Sequence, residues 1–115
     1  MPLSFPFNRG QLVVLVAVNP RERVWGRLIG LEAAGVALRG LELGSWDENL
    51  ATIRQGAPEH VSVGTRFVPM HRVESLYLDE SIAGAPSMAE LFRKNTGLEA
   101  LEFLADPELP RRTKR

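Results

Sequence analysis

The chain has 115 residues, 44% of them hydrophobic and 24% charged, which fits one folded domain and excludes a disordered chain or two ordinary domains. The formal net charge is +0, yet Arg111, Arg112, Lys114 and Arg115 leave ten basic against fourteen acidic residues over 1–110, a body near −4. Such a body lacks the basic excess that phosphate binding draws on, and the absence of cysteine excludes disulfides, thiolate nucleophiles and cysteine-held metals.

Residues 1–10, MPLSFPFNRG, carry two prolines and a glycine and are expected to form an irregular arm, with Phe5 and Phe7 able to pack over a barrel end. Leu12–Val18 is a valine-rich run without polar alternation. That pattern predicts a strand buried on both faces or covered by a partner subunit. The run is far shorter than the roughly 20 residues that span a bilayer, and the charged turn PRER follows it at once, against a signal peptide. A cytoplasmic protein without a membrane partner is the expectation. Asn19-Pro20 ends the strand, because proline has no N–H to give the ladder.

Two apolar-rich runs, Val24–Leu31 and Val36–Leu43, flank Glu32–Gly35 and predict a central β-hairpin. Alternation puts Trp25, Arg27, Ile29 and Leu31 on one face and Val24, Gly26, Leu28 and Gly30 on the other. Gly26, Gly30 and Gly40 lie inside the strands, where glycine marks sharp bends or close backbone approach.

Residues 44–64 form an insertion with its own helix signal. Ser45 and Glu48 have capping-box spacing, Trp46, Leu50 and Ile53 recur at i, i+4 and i+7, and Gly56 stands at the stop. A helix over Trp46–Arg54 is predicted to lie across the barrel, with Trp46 as a packing anchor. Thr65–Asp79 is the last β signal. Pro69-Met70-His71 interrupts it, so one short strand around Phe67 and Val68 should turn a corner into another over Val73–Leu78.

Beyond Gly84-Ala85-Pro86 the period becomes helical. Ser87 and Glu90 again have capping-box spacing ahead of Met88, Leu91 and Phe92, with Gly97 at the stop and a second short helix over Leu98–Leu104. The predicted organisation is an arm (1–10), a β-barrel (11–79) with a helical insertion (44–64), a helical extension (80–105) and a flexible basic tail (106–115).

Groups able to do chemistry are few. His60 and His71 are the only histidines, neither has a second ligand at zinc spacing, and no Gly-rich phosphate loop or G-x-S-x-G elbow is present. Asp47 and Glu48 lie at a helix start, where the dipole accounts for them. No catalytic residue, metal or cofactor is predicted. His71, at the corner, either hydrogen-bonds a backbone carbonyl to hold the turn or, together with Arg72, lines a ligand or RNA pocket.

The five strands, the central hairpin and the proline-marked kink before the last strand together resemble the Sm-like fold. The hairpin is similar to the first Sm motif in Gly26, Leu28, Leu31 and Glu32, then Val36 and Leu38. The second half resembles the bacterial Sm-like RNA chaperone of the Hfq type, whose uridine-binding Lys-His pair corresponds to Met70-His71 here. The resemblance implies a small SH3-like barrel of about five strongly bent antiparallel strands, mainly β with short helices, that assembles as a homo-oligomeric ring. The function expected is a non-enzymatic binding or interaction module, with itself or another protein as partner. The alternative is an RNA-binding ring using His71, Arg72 and Arg39. A second alternative is a small enzyme with His71 as general base near Glu74 or Glu42.

Overall fold

The structure, a computed structural model, describes residues 6–105. Five strands, β1 (Leu12–Ala17), β2 (Glu22–Glu32), β3 (Gly35–Glu42), β4 (Gly64–Pro69) and β5 (Val73–Leu78), form one antiparallel sheet in the order β4-β3-β2-β1-β5. The fold is small and barrel-like, as expected, but the sheet is not closed: β4 and β5 are its two edges and are joined only through the tight turn Met70–Arg72. Three helices accompany it, α1 (Trp46–Arg54), α2 (Met88–Thr96) and α3 (Ala100–Phe103).

Both faces of the sheet are covered, which is why β1 carries no polar alternation. Val13, Leu15 and Ala17 of β1 point inward to a core completed by Val24, Leu28, Val36, Leu38 and Val68. Val14 points outward, to a second core that the helices close with Leu50, Ile53, Phe92, Ala100 and Leu104 over Trp25 and Leu41. Of the two arrangements expected for the apolar run, the chain's own helices supply the cover. Phe7 of the N-terminal arm packs against the inner core, while Phe5 and the tail expected over 106–115 lie outside the described residues.

The outer core is built on aromatic rings. Trp25 is fully buried and meets Trp46 edge-on at 5.4 Å between centroids and Phe92 at 5.3 Å, and Phe92 meets Phe103 at 5.1 Å. These separations fall within the range in which aromatic pairs add to plain area burial. Trp46 is therefore the packing anchor its spacing predicted.

The hairpin departs from simple alternation at one point. The ladder between β2 and β3 slips between Leu28 and Gly30, so Leu31 joins Val24 and Leu28 in packing on the inner core instead of sharing a face with Trp25. Upstream of the slip, Gly26 pairs directly with Gly40. A Cβ on Gly40 would collide with the Trp25 carbonyl and the Gly26 Cα, so the two glycines permit a backbone approach closed to any other residue. Gly30 faces open space and has no such role. The turn is also tighter than the four residues expected, since Glu32 and Gly35 are already a ladder pair.

Helix α1 occupies the predicted residues, but Ser45 makes no side-chain cap bond, because a 3-10 turn over Leu43–Ser45 leads into it. The second capping box forms in full. Ser87 Oγ accepts from the Glu90 N–H at 3.1 Å, Glu90 Oε1 accepts from the Ser87 N–H at 2.7 Å, and Gly97 ends α2 at φ 79°. Helix α3 is shorter than predicted. Leu98 and Leu104 still reach the outer core, but Leu101 is exposed.

Candidate functional site

The corner between β4 and β5 places the predicted site residues in unlike surroundings. Met70 is anchored through its N–H on the Ala34 carbonyl at 2.9 Å. His71 is exposed and makes no hydrogen bond among the described residues. Arg72 holds the corner instead: its Nε donates to the Val18 carbonyl and its Nη2 to the Pro20 carbonyl, each at 2.9 Å. The carbonyl-anchoring role considered for His71 thus falls to its neighbour. A guanidinium, with five donors in a fixed fork, suits two diverging carbonyls better than an imidazole does.

Arg39 does not join that corner. It lies on the outer, helix-covered face of β3, where Nε donates to the Ala105 carbonyl at 2.9 Å and Nη1 to Thr65 Oγ1 at 3.2 Å. Its ladder partner is Thr65, whereas the corner begins at Pro69 opposite Gly35, roughly 13 Å further along the strand. Glu74 and Glu42, the acid partners considered for His71, are each paired with an arginine, Glu74 with Arg21 at 3.0 Å and Glu42 with Arg66 at 3.5 Å.

A charged group at the mouth of the barrel was not singled out from the sequence. Glu22 and Arg66 occupy inward-facing positions, opposite Ala17 and Leu38 respectively, where the inner core ends. Arg66 Nη2 donates to Glu22 Oε1 at 2.5 Å, and Arg72 Nη2 lies 3.7 Å from Glu22 Oε2. The hydrogen bond from Arg66 is the main reason the Glu22 carboxyl is held below the usual glutamate range, aided by both guanidinium charges and opposed by desolvation. A signal was available: Arg66 stands two residues before the inward Val68, so alternation already turns a charge toward the core.

Each edge strand of the sheet carries an exposed aromatic side chain. Phe67 on β4 is 57% exposed and Tyr77 on β5 is 42% exposed. Both face outward, Phe67 opposite Ala37 and Tyr77 opposite Val14. Beside Tyr77 a shallow groove is lined by Val14, Ile82, Pro86 and Met88, with Arg23 and Glu80 among its polar residues. Among the described residues no strand pairs with the outer side of β4 or β5.

Among the described residues no three His, Asp or Glu side chains stand together as metal ligands, and no helix is long and apolar enough to cross a membrane. The arrangement offers two unpaired backbone edges flanked by aromatics, an exposed imidazole at a corner and a carboxylate shared by two guanidinium groups. Compared with protein-family models, curated proteins and solved structures, the chain finds no match.

Proposed function

We propose that this protein is a non-enzymatic interaction module of Sm-like type that works through self-association, with the free edges of β4 and β5 as joining surfaces. The observation that carries the reading is that, among the described residues, both terminal strands keep an unpaired backbone edge beside an exposed aromatic, Phe67 on one and Tyr77 on the other. Monomeric sheets usually blunt such edges with charge, bulges or a covering element. Copies joined edge to edge satisfy the backbone groups and bury both rings. The same reading places the protein in the cytoplasm, on the sequence grounds given above. Sedimentation equilibrium at micromolar concentration tests it: an assembly larger than one chain supports the reading, and a strict monomer ends it.

A second reading, RNA binding at the corner, draws on the exposure of His71, the residue at which the resemblance puts the histidine of the uridine-binding pair. Fluorescence anisotropy with oligo-U and oligo-A at two salt concentrations tests this reading. Salt-dependent binding that His71→Ala removes supports it, and absence of binding ends it.

A further inference from the structure

The barrel mouth is organised around one carboxylate held between two guanidinium groups from separate elements. Glu22 Oε1 receives Arg66 of β4 at 2.5 Å, and Glu22 Oε2 faces Arg72 of the corner turn at 3.7 Å. Each arginine also has other acceptors. Arg66 reaches Glu42 at 3.5 Å, and Arg72 is fixed by the Val18 and Pro20 carbonyls. The two cations are thus oriented by contacts that do not depend on Glu22, and preorganised donors bind an incoming anion at little ordering cost.

The mouth is also reachable. The side chains of Glu22, Arg72 and Arg66 keep 22%, 20% and 32% of their surface exposed, and Glu22 opens on a cleft of about 360 Å³ whose lining includes Arg21, Arg23 and Glu42. Arg21 is paired with Glu74 at 3.0 Å. Removing the Glu22 charge would leave Arg66 with Glu42 as its remaining paired carboxylate and Arg72 with its two backbone carbonyls, and Arg66 also lines a neighbouring groove with Ser45 and His60.

We propose that Arg66 and Arg72 form a binding site for a small oxyanion, a carboxylate or a tetrahedral anion, which the chain's own Glu22 occupies as a built-in competitor. The carboxylate of Glu22 is itself a planar oxyanion, hydrogen-bonded to Arg66 through one oxygen and ion-paired with Arg72 at 3.7 Å through the other. An external anion enters only where Glu22 is displaced or neutralised.

The test compares wild type, Glu22→Ala and Glu22→Gln, titrated with sulfate and separately with acetate against chloride at constant ionic strength. Binding is read from the Nε–Hε resonances of Arg66 and Arg72 and from the thermal midpoint. Glu22→Ala is expected to bind sulfate or acetate roughly tenfold or more tightly than wild type, since a like charge within about 4 Å has been removed. A further Arg72→Gln should abolish the gain. The arm that responds more strongly, sulfate or acetate, identifies the anion class. If Glu22→Ala does not fold in chloride, the isosteric Glu22→Gln decides, through anion-specific shifts of the Arg66 and Arg72 Nε–Hε resonances that general stabilisation by sulfate does not produce. It is overturned if folded Glu22→Ala or Glu22→Gln shows no anion-specific response, or if wild type at neutral pH responds as strongly as they do.

Discussion

The indole N–H of Trp25 donates to Asp79 Oδ2 at 2.9 Å, and the same carboxylate receives the first two backbone N–H groups of α2, Met88 through Oδ1 at 2.7 Å and Ala89 through Oδ2 at 2.9 Å. One side chain at the end of β5 therefore fixes the largest ring of the outer core and the start of the helix that covers it. Asp79→Ala is expected to destabilise the protein by about 2–4 kcal/mol, combining a lost helix cap with an orphaned buried indole donor. Chemical denaturation followed by tryptophan fluorescence measures this, and a loss under about 0.5 kcal/mol would show that Asp79 does not couple the two elements.

The glycines of the hairpin separate into two kinds. Gly40→Ala sets a methyl group against the backbone of β2 and is expected to cost about 3 kcal/mol or more, because backbone atoms cannot move aside as a side chain tip can. Gly30→Ala enters open space and should stay within about 1 kcal/mol of wild type. Equal effects in thermal melts would refute the close approach at Gly26 and Gly40.

Two serines with the same sequence signature should behave differently. Ser87→Ala removes a formed cap and is expected to cost about 1 kcal/mol, whereas Ser45→Ala removes no cap bond and should be nearly neutral. A comparable loss at Ser45 would mean that α1 is capped as its sequence suggests.

Acid should weaken the fold from the glutamate range downward. Glu22 is held low chiefly by the Arg66 hydrogen bond, and Glu90 by the hydroxyl of Ser81 and then the backbone N–H of Ser87. A carboxylate with a lowered folded-state pKa adds stability above the unfolded value. That contribution is lost as pH falls from the ordinary 4.5 through the lower folded value. Urea midpoints from pH 7 to pH 3 should drop over this window, and Glu22→Gln should make the drop shallower. An identical slope in the variant would show that Glu22 is not strongly paired.

Self-association, if it uses the sheet edges, should be separable from folding. Tyr77→Lys places a charge on the exposed face of β5 and is expected to shift the assembly toward monomer at least tenfold, with circular dichroism and thermal midpoint near wild type. Assembly that is unchanged by both Tyr77→Lys and Phe67→Lys would move the interface elsewhere on the surface.

Periodicity disclosed most of the architecture, because burial imposes it residue by residue. Trp46, Leu50 and Ile53 marked α1, Ser87 and Glu90 marked α2, and unrelieved valine in Leu12–Val18 marked a strand covered on both sides. The slip after Leu28 was hidden, since a bulge depends on how two strands fit and not on the composition of either. The same holds for the mouth of the barrel. Arg72 was singled out beside His71, but its carbonyl partners lie fifty-two and fifty-four residues away, and the Glu22–Arg66 contact joins residues forty-four apart. Local spacing carries no trace of such pairs.

Because β1 is the common wall of the inner and outer cores, its adjacent residues report on different compartments: Val13 borders the space under the hairpin, and Val14 borders the aromatic cluster beneath the helices. The two packing layers consequently have no plane along which they can part. A fragment lacking the helical extension would be left with a bare apolar sheet, so the strands and their cover are best regarded as a single heritable unit, altered together or not at all.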